Sequence, residues 1–348
     1  MNRTLRNEVG KMSGVKPVVG VLLGDPTGIG PELVAKLIAD QELMKLAQTV
    51  VIGDQRILAM GQRIAKTDME VPIYTNYEDI PFPVERPVLL DYPTVDPSEL
   101  ELGKVDARAG KSVYDTLMYT IGLAKEGRID GFVFAPFNKA ALHACGCPFG
   151  SELELFKSEF NCPHVRGELN VVDDAWNSRV TSHVALKDVS SLVTVDSVYE
   201  TISFVNGVLK VYGKEVPRIA VSGINPHCGE NGLFGTEEGE VIEPAIRKAR
   251  EKGINVSGPF PSDTIWLKVL AGEYDAVVSM YHDQGQIALK ILGFDKGVTV
   301  HGGMPIPIAT PAHGTAFDIA GKGIANAQGI KRAFTIVSRM AANQKRNS

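Results

Sequence analysis

The chain has 348 residues, 44% of them hydrophobic, with a formal net charge of −5. That length fills one large domain or two moderate ones, and the apolar content excludes whole-chain disorder. The acidic balance, with no Lys/Arg-rich run, argues against a nucleic-acid partner, and no apolar run approaches the ~20 residues of a membrane span.

Residues 1–14 are polar and mixed in charge, which predicts a flexible tail without the apolar core of a secretory signal. Val18 to Leu23 reads as a buried strand, Gly24 to Gly30 as a tight turn, and Pro31 to Ala39 as a helix with Pro in its first turn. Thr49 to Gly53 is a second buried strand. The Pro-dense stretch from Pro72 to Pro97 predicts loops and short edge strands. Ala107 to Lys125 reads as a helix and Gly131 to Ala135 as a strand. Arg218 to Ser222 is a strand followed by the loop Gly223 to Gly235, and Glu238 to Lys252 is a helix. Asp275 to Met280 is a strand running into a loop that begins at Tyr281, His282 and Asp283. Val298 to Val300 is a strand, and Asn326 to Ala342 closes the chain as a helix. Strands alternate with helices, so the expected fold is α/β with a mainly parallel sheet. Two α/β subdomains around a cleft are expected, residues 15–135 with 300–348 and residues 136–299.

Four cysteines, Cys145, Cys147, Cys162 and Cys228, contain no C-x-x-C pair. A chain of this size then defaults to a reducing, cytoplasmic setting. The loop at 24–32 invites a dinucleotide reading, but Leu33 stands where the third glycine belongs. Gly110-Lys111-Ser112 resembles the end of a phosphate loop, but Val105 stands where its first glycine belongs. Asp25 and Thr27 are nonetheless polar groups at the carboxyl end of a strand, where α/β proteins place ligands.

Of the seven histidines, a lone loop His is more often structural than a ligand. Three have unusual neighbours: His183 in Thr-Ser-His, His227 in Asn-Pro-His-Cys-Gly-Glu, and His282 in Met-Tyr-His-Asp-Gln-Gly. His227 and His282 directly follow strands. Three imidazoles suit Zn, Co or Ni and leave a coordination position open for substrate, with Asp283 placed to orient a ring. Cys228 is an alternative ligand whose plainer reading is a small buried side chain.

Four ordered motifs carry a resemblance: Gly-Asp-Pro-Thr-Gly-Ile-Gly-Pro-Glu at 24–32, the His227 motif at 225–230, the His282 motif at 280–285, and His-Gly-Thr-Ala-Phe-Asp-Ile-Ala-Gly at 313–321. Together, from about Val18 to the last helix, the chain resembles the 4-hydroxythreonine-4-phosphate dehydrogenase family of pyridoxal phosphate biosynthesis. That family includes relatives acting on threonate or erythronate 4-phosphate and on cyclic dihydrodiol dicarboxylates. The last motif, continued by Lys322 to Asn326, also resembles the cofactor loop of isopropylmalate and isocitrate dehydrogenases.

The resemblance implies their fold and a homodimer whose active site draws on both subunits. It implies a divalent metal (Zn, Co, Ni or Mg) on His183, His227 and His282, and NAD adenosine held around Gly314, Thr315, Asp318 and Asn326. The implied reaction oxidises the β-hydroxyl of a small hydroxy acid, 4-hydroxythreonine-4-phosphate or a related 4-phosphorylated sugar acid, with loss of CO2 from the product. Asp263 and Lys139 are candidates for the base, though Asp263 reads equally as a cap for a helix from Ile265 to Leu270. Asn138, Lys290, Thr299 and His301 are candidate substrate contacts.

The substrate parts depart from the family. Its phosphate grip of Lys, Asn and Arg becomes Lys290, Thr299 and Ile308, and Ile cannot make the bidentate, charged contact of Arg. Asn138-Lys139 stands where the biosynthetic enzymes have His-Lys, as in the threonate-phosphate relatives, and Ser151-Glu152 stands near their His-Thr-Glu. His301 and Lys296 are positioned in sequence to restore positive charge. A dehydrogenase of an unphosphorylated acid, such as a dihydrodiol dicarboxylate, is therefore the alternative. Readings of another class are a phosphoryl or acyl transferase, or a non-catalytic binder on the same fold.

Overall fold

The structure is a computed structural model that describes residues 16–347, so the expected tail at 1–14 lies outside the described residues. The chain forms two compact units that divide at His164/Val165 and Gly303/Met304. The sequence placed these divisions at 135/136 and 299/300.

In chain order the first unit lays down β1 (Val18–Leu22), α1 (Gly30–Ile38), β2 (Gln48–Gly53), α2 (Gln55–Ala65), β3 (Ile73–Tyr74), β4 (Val88–Asp91), α3 (Ala107–Lys125), β5 (Gly131–Phe134), α4 (Lys139–Ala144) and α5 (Glu152–Glu159). The second unit carries β6 (Glu168–Val172), β7 (Ala175–Arg179), α6 (Val195–Tyr212), β8 (Ile219–Ser222), α7 (Glu243–Glu251), β9 (Val256–Phe260), α8 (Ile265–Leu270), β10 (Ala276–Ser279), α9 (His282–Gly293) and β11 (Val298–His301). The chain then returns to the first unit with β12 (Ile308–Pro311) and α10 (Gln328–Asn347).

Strands of the first unit run in the order β3-β4-β2-β1-β5-β12, and all their pairings are parallel. β1 and β2 are buried at every position, as parallel strands covered on both faces must be, which is why β1 reads as a continuous apolar run and β2 as one from Val50 to Ile52. A Cβ at Gly30 would lie 2.3 Å from the Leu23 carbonyl oxygen, so only glycine lets α1 start against the end of β1. α3 buries Val113, Leu117 and Ile121 at helical spacing, each contributing about 1.5–3 kcal/mol of transfer free energy. Phe156 of α5 packs against Phe132 and Phe134 of β5, with ring centroids 5.7 and 5.9 Å away. That wedge fixes α5 and hence Ser151 and Glu152 at its start.

Strands of the second unit run in the order β11-β6-β7-β10-β8-β9. The pairs β11–β6 and β6–β7 are antiparallel, and β7, β10, β8 and β9 are mutually parallel. Val172, Ala175, Ala220 and Val277 of the sheet form one apolar cluster with Ile265, Trp266 and Val269 of α8 and Leu289 of α9. Side chains alternate along a strand. The face that carries Ala175 and Val277 therefore continues through Asn177 and Arg179 on β7 and Ser279 on β10. The surface beneath α9 thus changes from apolar to polar toward the carboxyl ends of β7 and β10.

Three expectations need correction. His282 is the first residue of α9, not part of a loop; Tyr281 occupies the N-cap without a side-chain capping bond, so the usual Ser/Thr/Asp/Asn start signal is absent. Glu238 to Lys252 is not one uniform helix: Glu238–Ile242 forms a wider π-turn before α7, a local feature frequent at functional sites. In the Pro-dense stretch β3 is a short edge strand as expected, but β4 lies inside the sheet between β2 and β3.

Candidate active site

β7, β10, β8 and β9 are neighbours and parallel, and a candidate residue follows the carboxyl end of each. These are His183 after β7, His282 after β10, His227 after β8 and Asp263 after β9. This is the end of an α/β sheet at which ligands bind.

The register brings the first two together. Arg179 pairs with Ser279, and the chains stay in step beyond the strands: Val180 N–H donates to Ser279 O at 2.9 Å, and Thr181 N–H to Met280 O at 3.0 Å. The His183 and His282 rings consequently lie 5.7 Å apart, centroid to centroid, at 45°. Asp283 Oδ1 stands 2.7 Å from His282 Nδ1, which orients the ring and leaves Nε2 for a ligand. A metal about 2.0–2.1 Å from one nitrogen of each ring is compatible with that separation, so the pair fits a shared divalent cation.

His227 occupies a different setting. His227, Cys228, Gly229, Glu230 and Asn231 all have left-handed backbone, with φ from 43° to 77°, a conformation that costs non-glycine residues energy and recurs at ligand sites. Buried Glu238 holds this turn: its Oε1 accepts from Ile224 N–H at 2.8 Å and Asn225 N–H at 2.7 Å, and its Oε2 from Asn225 Nδ2 at 3.0 Å. Gln284 of α9 ties the β8 and β10 exits together, donating to Gly223 O at 2.8 Å and accepting from Met280 N–H at 2.7 Å. Among the described residues no three His, Cys, Asp or Glu side chains converge on a metal-sized site. His183 and His282 form a ring pair, and His227 follows β8, the strand beside β10. Burial, reinforced by the charges of Glu238 and Asp263, pushes the Cys228 thiol up to about 11, so it is protonated at neutral pH, which fits its plainer reading as a small buried group.

Asp263 is exposed and makes no side-chain hydrogen bond among the described residues. It does not cap α8, whose N-cap is Thr264. Lys290 is exposed on α9, two turns beyond His282. Thr299 accepts from Asn170 Nδ2 at 3.1 Å, and His301 is buried with Nδ1 3.9 Å from Glu168 Oε1. Asn170 Oδ1 also accepts from Arg179 Nη1 and Gln286 Nε2. Sequence reasoning missed this hub, although an Arg four residues before His183 was a signal.

In the first unit Asn138 caps α4, its Oδ1 accepting from Ala141 N–H at 2.9 Å. Lys139 Nζ lies 3.3 Å from Glu152. Both line a cavity of about 290 Å³ whose walls include Tyr114, Phe137 and Phe149. Ile308 is fully buried in β12 opposite Phe132 of β5, so that position packs rather than binds. In the expected cofactor loop Gly314, Asp318 and Asn326 are exposed and Thr315 is buried. Thr315 O accepts from Ile29 N–H at 3.1 Å, which seats the 24–30 turn against the loop. Asn326 Oδ1 accepts from Gln328 N–H at 2.9 Å. Lys36 of α1 donates to Gly323 O at 3.1 Å and Ala325 O at 2.8 Å, and Glu32 Oε1 accepts from Lys36 at 2.6 Å and from Ala325 N–H at 2.8 Å. The space over Gly314 is open, and exposed Asp318 suits ribose hydroxyls, so the loop fits a dinucleotide's adenosine half.

Comparison with known proteins agrees with these motifs. The family model of the pyridoxal phosphate biosynthetic protein PdxA matches residues 45–337. A Pseudomonas aeruginosa protein provisionally named 4-hydroxythreonine-4-phosphate dehydrogenase 2 is 45% identical over 94% of this chain and 98% of its own. The D-threonate 4-phosphate dehydrogenase of Pectobacterium atrosepticum is 38% identical over 93% of this chain and 99% of its own. The crystal structure of 4-hydroxythreonine-4-phosphate dehydrogenase from Klebsiella pneumoniae superimposes with a TM-score of 0.83 at 34% identity, covering 94% of this chain and 99% of that one. The chain therefore belongs to the PdxA family and stands among oxidoreductases that act on CH–OH groups.

Proposed function

We propose that this protein is a metal-dependent, NAD-linked dehydrogenase of a small β-hydroxy acid, which then loses CO2. The observation that carries the reading is the alignment of His183, His282, His227 and Asp263 beyond four adjacent parallel strands. His183 and His282, with His227 as third ligand, would hold a divalent cation (Zn, Co, Ni or Mg). When bound, that cation supplies Lewis-acid polarisation of the substrate hydroxyl. The loop of Gly314, Thr315, Asp318 and Asn326 would hold NAD, which accepts the hydride.

Asp263, with no internal hydrogen bond to satisfy, takes the hydroxyl proton, and Lys139 is the second candidate for that role. Oxidation leaves a ketone β to the carboxylate, so the C–C bond pair can move into the ketone as CO2 departs. Asn138, Lys290, Thr299 and His301 are the proposed substrate contacts. The four cysteines are unpaired, which favours a reducing, cytoplasmic setting.

Relatives named for 4-phosphorylated acids favour 4-hydroxythreonine-4-phosphate or a related 4-phosphorylated sugar acid as substrate. A specific observation favours a second reading, an unphosphorylated acid such as a dihydrodiol dicarboxylate: the buried Ile308 offers no charge where the family has Arg. The deciding experiment incubates the enzyme with NAD+, each divalent metal, and a panel of phosphorylated and unphosphorylated hydroxy acids, following NADH absorbance. NADH from the phosphorylated acids alone supports the first reading. NADH from the unphosphorylated acids alone supports the second. No NADH from any acid overturns the dehydrogenase reading in favour of a transferase or a non-catalytic binder.

A further inference from the structure

Arg179 is a buried cation with an unfinished set of partners. Its side chain is 7% exposed. Nε donates to Ser182 Oγ at 2.6 Å, and Nη1 donates to Asn170 Oδ1. Both acceptors are neutral. The nearest carboxylate oxygen, Oε2 of Glu168, stands 3.8 Å from Nη2, beyond hydrogen-bond range. A guanidinium has five N–H donors, and two of this one's are used on protein acceptors, while Nη2 is not sealed off and so keeps access to solvent. Burial disfavours the charge and pulls the Arg179 pKa down, and the Glu168 carboxylate only partly offsets this. Buried charges persist where something pairs with them, and the carboxylate nearest this one, Glu168, forms only a long ion pair without a hydrogen bond.

The surroundings are built for an anion. Arg179 closes the polar end of the surface beneath α9, and Ser182, its partner, adjoins His183. Asn170 links it to Gln286, one turn beyond His282, and to Thr299. Thr299 Oγ1 already accepts from Asn170 Nδ2, so its own hydroxyl proton remains available to donate.

We propose that Arg179 forms an oxyanion subsite in which its guanidinium, with the Thr299 hydroxyl, grips the phosphate or carboxylate of a small acid substrate. The subsite rests on the small-acid reading above and adds to it the residue that recognises the acid. A guanidinium meets two oxygens of either group in the same fork geometry. An aligned anion then supplies the acceptors that the fold leaves out.

The test is calorimetric titration of the full chain with inorganic phosphate and, separately, with malonate, for the wild type, Arg179→Met and Arg179→Lys. Circular dichroism of each variant reports whether it folds. Saturable wild-type binding of phosphate, malonate or both is expected, weakened roughly 10- to 100-fold in Arg179→Met through loss of charge-assisted bonds. Arg179→Lys, which keeps the charge and loses the fork, should lie between. Preference for phosphate marks a phosphorylated substrate, and preference for malonate a dicarboxylate. Folded Arg179→Met with wild-type affinity overturns the proposal, as does a wild type that binds neither anion. If Arg179→Met does not fold, wild-type affinity in Arg179→Lys overturns it instead. The titration needs neither NAD nor turnover. Arg179-dependent binding without NADH from any acid would therefore sink the dehydrogenase reading and leave the subsite standing.

Discussion

At Asp25 the fold buries a carboxyl group at the end of β1 and gives only one of its oxygens partners: Oδ1 accepts from Thr27 N–H at 2.9 Å and Thr27 Oγ1 at 2.7 Å. Burial raises its pKa above the ordinary aspartate value, and the Thr27 bonds only partly counter this. The protonated form is therefore the one the fold prefers. As pH rises above about 3.8, the unfolded chain releases this proton before the folded one does, and stability falls until the buried group ionises as well. Asp25→Asn removes that loss. Near neutral pH the variant should melt higher, and the gap should close at pH values below the aspartate range. A gap in melting temperature that does not change with pH would count against the argument. At His282 the expectation concerns chemistry. The ring is partly exposed and opens a helix, so His282→Ala should fold normally and lose turnover with the metal. Asp283→Asn, which loosens the ring's orientation, should weaken metal affinity about 10- to 100-fold. Metal titration of the full chain checks both, and activity surviving in His282→Ala would remove the metal assignment.

At the scale of elements, α1 acts as a clamp on the 323–325 segment through Lys36 and Glu32. Glu32 is 1% exposed and Lys36 23%, so the pair is more than a surface ion pair, which is worth about 0–1 kcal/mol. Lys36→Met leaves the Glu32 carboxylate buried without its cation and frees two carbonyls. A stability loss of about 2–4 kcal/mol is expected, together with a raised KM for NAD and a smaller change in kcat. A large fall in kcat with unchanged KM would show instead that the segment serves chemistry. Neither residue could be assigned this role from sequence, because the contact joins positions almost the whole chain apart. Local signals read other elements well. α3 matched its expected bounds because an Asp106 cap and a regular apolar stripe coincide. β1 was legible as an unbroken apolar run and β2 from its run Val50 to Ile52. β6 and β7 were not, since Asn170, Asn177 and Ser178 put polar groups at buried strand positions and Arg179 ends β7 with its side chain covered. Asn170, Asn177 and Arg179 build the polar end of the surface beneath α9, so the strands that break the pattern are those that border the candidate site. α6 was legible in principle, through its stripe of Val198, Ile202, Val205 and Leu209 and its Thr194–Ser197 capping box, yet it was not among the expected elements.

At the scale of the whole molecule, the second unit leaves apolar surface uncovered. α8 and α9 share one apolar cluster on their inner sides. Outward they expose Leu267 (65%) and Leu270 (59%) on α8, Ile287 (59%) and Ile291 (80%) on α9, and Phe294 (58%) just past its end. Ile287 and Ile291 are four residues apart on α9, so they share one face as a stripe. Contiguous apolar surface of this kind marks an association site in a water-exposed protein. Its place gives it a consequence for function, because α9 begins with His282 and holds Asn170 through Gln286. The homodimer that the family resemblance implies would cover this stripe and fix α9 at the same time. The double variant Ile287→Asp, Ile291→Lys replaces apolar contact with charge on a solvent-facing stripe. It should leave the monomer fold intact and shift sedimentation from dimer to monomer at micromolar concentration. Turnover should fall at least about tenfold, and the wild-type melting temperature should rise with protein concentration while that of the variant does not. A variant that stays dimeric would move the interface elsewhere on the surface. A fully active monomer would show that one chain holds a complete site.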